Sequence, residues 1–148
     1  MDTLKTSRKI QASPEKVFSA FTDARRLAKW WGPEGFTNHF STCDIRPGGE
    51  WIFTMHGPDG KSYPNESKFI EIDPPNKFVV KHICEPVFTA TFTFKAIPIG
   101  TQLDWESEFE NETFVKNARE FLKAANEQNL DRLVDEIINF ESSMDGIL

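Results

Sequence analysis

The stretch CDIRPGGEWIFTMHGPDGKSYPNESKFIEIDPPNKFVVKH, residues 43–82, decides the fold. Three turn signals, Arg46-Pro47-Gly48-Gly49, Gly57-Pro58-Asp59-Gly60 and Asp73-Pro74-Pro75-Asn76, cut it into segments with a two-residue apolar period, which is the pattern of strands joined by hairpins. The connections are too short for a crossover helix, so successive strands run antiparallel. Extended from Phe36 to Phe109, with a further turn at Pro98-Ile99-Gly100, this reading predicts strands at 36–45, 50–56, 62–72, 77–83, 87–96 and 101–109.

Alternation shows which face is apolar. Trp51, Phe53 and Met55 share one side of their strand, as do Phe88, Ala90, Phe92 and Phe94, and Leu103, Trp105 and Phe109. Thr89, Thr91, Thr93, Asp104, Glu106 and Glu108 take the other side, so one face meets water and the other must be covered. The cover is a long helix from about residue 112 to 142, with Phe114, Ala118, Phe121, Leu122, Ala125, Leu133, Ile137 and Phe140 near helical spacing. Asn126, Gln128 and Asn129 interrupt that stripe midway and mark a bend, a rim or an exposed turn.

Before the sheet region, residues 4–11 form a short strand. Ser13-Pro14-Glu15 then starts a helix with Val17, Phe18 and Phe21 on one face. Asp23 caps a second short helix, in which Leu27, Trp30 and Trp31 share a face before Gly32-Pro33 ends it. No repeat, low-complexity tract or linker interrupts the 148 residues, and the expectation is one domain over 1–148.

The composition favours a large aromatic core. Fourteen Phe, four Trp and one Tyr make 13% of the chain, and each large ring can bury about 150–250 Å², enough for a core with rings left over to line a cavity. Seventeen basic against 23 acidic residues give a net charge of −6 with no basic run, which argues against a nucleic-acid partner. No secretion signal and no run of 18 apolar residues is present, so a cytoplasmic protein without a membrane anchor is expected. Cys43 and Cys84 read as buried or neutral thiols, unless neighbouring strands bring them together as a redox pair.

The order of strand, two short helices, six antiparallel strands and a long C-terminal helix resembles the α+β helix-grip fold of the START and birch-pollen-allergen-like superfamily. Within it, ASPEKVFSAFTDARRLAKWWGPEGF, the 43–82 stretch and IGTQLDW together resemble the activator of the 90-kDa heat-shock chaperone's ATPase and its small bacterial relatives. The likeness spans residues 5 to about 142. Trp30-Trp31-Gly32, Asp44 to Gly49 and Gly57 to Gly60 stand where that family has its WWG, its D-x-R-P-G-G turn and its G-P-D-G hairpin. The chain departs from the family at the strand after Tyr63-Pro64-Asn65-Glu66, which lacks a glycine, and at Phe114-Val115, where a Gly-Trp is common.

The resemblance implies a curved sheet of about seven strands wrapped around the long helix. It places the second short helix under one end of that helix, so that Trp30 and Trp31 are either a plug or the gate of an apolar cavity. The cavity candidates are Trp31, Phe36, Phe53, Met55, Phe69, Val80, His82, Phe92, Trp105, Phe121 and Ala125. His82 shares parity with Phe78 and Val80, so it either projects among rings, where it needs a polar partner, or ends its strand bonded to backbone or water. Glu71 shares parity with Phe69 and is either an inward carboxylate or an outward one.

No nucleophile elbow, Cys–His signature, phosphate loop or metal-ligand spacing is found, so no catalytic residue, metal or cofactor is expected. The function expected is binding of a hydrophobic small molecule between sheet and helix. The alternatives are a co-chaperone or protein-interaction module, with a chaperone or other protein as partner, and a cyclase- or hydrolase-like enzyme using His82 or Glu71. Either a monomer or a homodimer fits.

Overall fold

Side-chain caps start the two short helices where the sequence places them. In the computed structural model, which describes residues 2–147 and side chains through 142, Ser13 Oγ accepts from the Lys16 amide at 3.3 Å and opens α1 (Pro14–Ser19). The Asp23 carboxylate accepts from the Arg25 amide at 3.0 Å and opens α2 (Ala24–Trp30). The chain leaves α2 through an extended Trp31 and a Gly32 at φ +99°, a left-handed conformation suited to glycine.

Flanking these helices are β1 (Asp2–Ile10) and then β2 (Thr37–Cys43), β3 (Glu50–His56), β4 (Ser62–Asp73), β5 (Lys77–His82), β6 (Phe88–Ile97) and β7 (Gly100–Phe109), followed by α3 (Glu112–Ile147). They form one seven-stranded antiparallel sheet in the order β1-β7-β6-β5-β4-β3-β2. The first strand pairs with the last, from Asp2 opposite Phe109 to Ile10 opposite Thr101. This order also separates the two cysteines. Cys43 ends β2 and Cys84 follows β5, three strand spacings away, or about 14 Å at the usual separation. A disulfide spans less than about 7 Å between Cα atoms, so the two are not a redox pair.

The inward faces are those the alternation predicts: Trp51, Phe53, Ala90, Phe92, Phe94, Leu103, Trp105 and Phe109 are all buried. Phe18 and Phe21 from α1 and its end, with Trp30 of α2, fill one half of the space under α3. The Phe21 ring meets Trp30, Phe78, Phe92 and Phe94 at centroid distances of 4.8, 5.2, 5.0 and 5.1 Å.

The helix stripe is as expected at Leu133 and Ile137 and differs elsewhere. Val115, Leu130, Leu133 and Ile137 are buried, whereas Phe121 is 73% exposed and Phe140 39%. Phe114, Ala118, Phe121 and Ala125 lie to one side of the ridge that meets the sheet; the ridge runs through Val115, Leu122, Asn126 and Asn129, and a polar residue on it hides the stripe.

Gly48 and Gly49 lock the β2–β3 turn onto β4: the Gly48 amide donates to Phe69 O at 2.7 Å, and the Phe69 amide donates to Gly49 O at 3.0 Å. A Cβ on Gly49 would overlap the backbone of Asp44 and Arg46. Gly49→Ala is therefore expected to cost about 1–3 kcal/mol, as overpacking against immobile atoms does. Urea unfolding measures it, and an unchanged midpoint would show that the turn yields freely.

Candidate functional site

The other half of the space between sheet and α3 is hollow. Inward positions there include small or polar residues, notably Ser67 on β4 and Ala125 and Asn126 on α3, so the surrounding rings do not fill the space. A cavity of about 400 Å³ remains. Its sheet wall is built by Trp51, Phe53 and Met55 of β3, Tyr63, Asn65 and Ser67 of β4, Val80 and His82 of β5, and Trp105 of β7. Phe121, Leu122, Ala125, Asn126 and Asn129 of α3 form the roof. Trp31, Gly32, Pro33 and Phe36 close one end, and Pro86 and Phe88 lie beside His82.

Of the eleven residues expected at the cavity, nine line it: Trp31, Phe36, Phe53, Met55, Val80, His82, Trp105, Phe121 and Ala125. Phe69 and Phe92 do not. Both are fully buried in the filled half, Phe69 against Trp51 and Phe78, and Phe92 against Phe21, Phe78 and Trp105. Their strand parity is inward, as read, but their position along the strand places them over α1 and α2.

The two adjacent tryptophans divide the roles offered for them. Trp30 is completely buried, donates its indole N–H to Ala20 O at 2.9 Å and plugs the core. Trp31, in an extended conformation one residue on, turns toward the cavity and packs 5.0 Å from Trp51 and 6.3 Å from Trp105. Trp51 Nε1 has no hydrogen-bond partner among the described residues and is sealed from open space. It lies among rings, where an N–H can rest on a π face.

The polar interruption on α3 clamps this end wall. Asn129 donates to Trp30 O at 2.7 Å and accepts from the Gly32 amide at 3.2 Å. The Arg132 guanidinium donates to the carbonyls of Lys29, Trp31, Gly32 and Pro33 at 2.7–3.2 Å. Lys29 O is one of the carbonyls the end of α2 leaves without a helical partner, the other three belong to the segment that follows it, and a cation there also suits the helix dipole. Burial pushes the Arg132 guanidinium below its ordinary value.

His82 faces inward, 7% exposed, stacked on Phe88 at 4.9 Å. Its Nδ1 donates to Pro86 O at 2.7 Å, and its Nε2 lies 2.7 Å from Asn65 Oδ1 and 3.3 Å from Cys84 Sγ. Glu71 faces outward, 3.5 Å from Lys77 Nζ. A bulge between Phe69 and Glu71 shifts the register by one residue, exposing Ile70 and Glu71 and returning Ile72 to the core side. Simple alternation from Phe69 would have brought Glu71 inward.

A curved antiparallel sheet gripping one long helix, with two short helices after the first strand and an apolar hollow beneath, defines a helix-grip protein of the START and birch-pollen-allergen-like type. Residues 11–137 match the family described as activator of Hsp90 ATPase homolog 1-like protein, and the chain belongs to that family. Solved structures share the fold. A Chromobacterium violaceum protein superposes with a TM-score of 0.83 at 24% identity, over 91% of this chain and 96% of that one. An Arthrobacter aurescens protein gives 0.84 at 21%, over 93% and 86%. The AHSA1 protein from Silicibacter pomeroyi gives 0.73 at 20%, over 93% and 98%. No curated protein matches the chain in sequence.

Proposed function

We propose that this protein binds a hydrophobic small molecule in the cavity between sheet and α3. The observation that carries the reading is the hollow itself: about 400 Å³, walled by Trp31, Trp51, Phe53, Phe88 and Trp105, with His82, Asn65 and Asn126 as sparse polar points. Small-molecule sites occupy roughly 300–1,000 Å³ and combine apolar walls with a few polar groups. A folded chain gains nothing in stability from an empty apolar space, since the lining atoms forgo contacts on one side. The interaction-module alternative suggested by the family's name calls for a filled interior and a docking patch, and the hollow counts against it. Among the described residues no helix is long and apolar enough to cross a membrane.

The test is native mass spectrometry against the denatured mass, followed by titration with an environment-sensitive apolar dye and competition by fatty acids, flavonoids and sterols. Saturable dye binding, displaced by one ligand class and abolished by Ala125→Phe, which puts a ring into the roof, is the expected result. A protein that takes up no dye and carries no copurified molecule would refute the reading.

A further inference from the structure

Beside the cavity, β4, the end of β5 and the β5–β6 turn bring together Asn65, His82 and Cys84, of which the binding reading uses the first two only as polar points and the thiol not at all. The tautomer of His82 follows from its partners. Pro86 O is a carbonyl and can only accept, so Nδ1 carries a hydrogen, and Nε2 is left facing both the Cys84 thiol at 3.3 Å and Asn65 Oδ1 at 2.7 Å. Asn65 is held in that orientation because its Nδ2 donates to Tyr63 O at 2.9 Å. Asn65 Oδ1, like Pro86 O, only accepts, so the ring is satisfied at both nitrogens when Nε2 also carries a hydrogen, and the Cys84 thiol, which otherwise donates to Glu66 O at 3.9 Å, is the group 3.3 Å away that can supply it. Once protonated, it finds the Asn65 oxygen already in position to accept from it. Nucleophile, base and orienting group stand in the relation that activates a cysteine.

We infer that Cys84 is a nucleophile, with His82 as its general base, that captures apolar α,β-unsaturated carbonyl compounds. The assignment of an apolar substrate rests on the cavity-binding reading, because His82, Asn65, Pro86 and Phe88 all line the hollow. Cys84 itself is half-buried and does not line the hollow; its sulfur lies 3.3 Å from Nε2 of His82, which does. In the reaction, the Sγ–H proton moves to His82 Nε2, and the sulfur electron pair forms the S–C bond at the β-carbon of the ligand. The C=C π pair shifts toward the carbonyl as an enolate, and the α-carbon then takes the proton from Nε2. The thiol has added across the double bond, His82 is neutral again, and no oxidant or other reactant is consumed. A soft, polarisable double bond suits sulfur, and its apolar chain would lie along Val80, Phe88 and Trp105.

Cys43 provides an internal control. Burial, with Asp44 beside it, pushes its thiol up to about 11, and it has no imidazole partner among the contacts of the described residues. The experiment treats the wild-type protein at neutral pH with methyl vinyl ketone or its longer homologue pentyl vinyl ketone, with glutathione in the same solution. Adducts are followed by intact mass and located by peptide mapping. Cys84 is expected to react at least about tenfold faster than glutathione, with Cys43 unlabelled, and His82→Gln is expected to remove that advantage, in keeping with the roughly 10²–10⁴-fold worth of general-base assistance. The rate with pentyl vinyl ketone should saturate with concentration and be slowed by a cavity-bound dye. Cys84 reacting no faster than glutathione in the wild type, a comparison that needs no variant to fold, overturns the proposal and leaves cavity binding standing if dye still binds. Fast capture of the small ketone without saturation by the long one overturns the apolar substrate, and the cavity reading falls with it only if the dye does not bind either.

Discussion

Arg26→Met is expected to destabilise the protein by about 3–5 kcal/mol, the loss that follows when one partner of a buried ion pair is removed and the other is left charged without compensation. Arg26 and Glu136 have side-chain exposures of only 6% and 8%, and Arg26 Nε donates to Glu136 Oε2 at 2.8 Å. The guanidinium also donates to Ser19 Oγ at 2.9 Å and lies 3.7 Å above the Phe140 ring. It thereby ties α1 and α2 to the far end of α3, and methionine would retain its apolar stem but none of these contacts. The pair Arg8–Glu127 offers a contrast: at the same 2.8 Å separation its side chains are 25% and 54% exposed, and such a pair contributes about 1 kcal/mol or less. Burial, not distance, sets the difference. The double variant Arg26→Met/Glu136→Leu should recover most of the loss, because replacing both charges with apolar groups of similar size is often neutral. Denaturant unfolding of the two single variants and the double variant provides the test; a single-variant loss below about 1 kcal/mol would show that water reaches the pair.

The sheet was legible because period-two alternation and glycine- or proline-rich turns are local signals. Trp51 and Phe53, or Leu103 and Trp105, announce their inward face from their own neighbours. The pairing of β1 with β7 was not legible, since it joins residues about a hundred positions apart and no local pattern encodes it. The bulge after Phe69 is why the side taken by Glu71 stayed open: one extra residue reverses parity, and nothing in KFIEID marks where it falls. Five cavity residues, Phe53, Met55, Val80, His82 and Trp105, followed from strand parity, but parity says only which side a residue faces. Whether that side is filled depends on how far along the strand α1 and α2 reach, which is why Phe69 and Phe92 lie in packed core. Trp51 was missed for the complementary reason: its ring serves both core and cavity. Asn129 and Arg132 were hidden because their partners are main-chain carbonyls of Lys29 to Pro33, and any sequence supplies carbonyls.

Trp105→Ala is expected to cost about 3–5 kcal/mol, the usual penalty for deleting a large buried ring, and it should change binding as well as stability. The indole is 5% exposed and spans the boundary between the two halves of the interior. It packs 4.9 Å from Phe92 on the filled side and 6.3 Å from Trp31 across the hollow. Its Nε1 donates to Ser107 Oγ at 3.1 Å, so truncation also leaves a buried hydroxyl without that donor. Phe21→Ala removes a ring of similar burial that touches only the filled half, and its stability loss should be of the same order. The two variants separate on the dye: Phe21→Ala should bind it as the wild type does at temperatures where it is folded, whereas Trp105→Ala should bind it more weakly, because the lost indole is part of the wall. Thermal unfolding and dye titration on the same samples provide the comparison. Equal binding by both variants would mean that dye contacts with β7 contribute nothing, and that the occupied part of the hollow lies toward Tyr63 and Phe121.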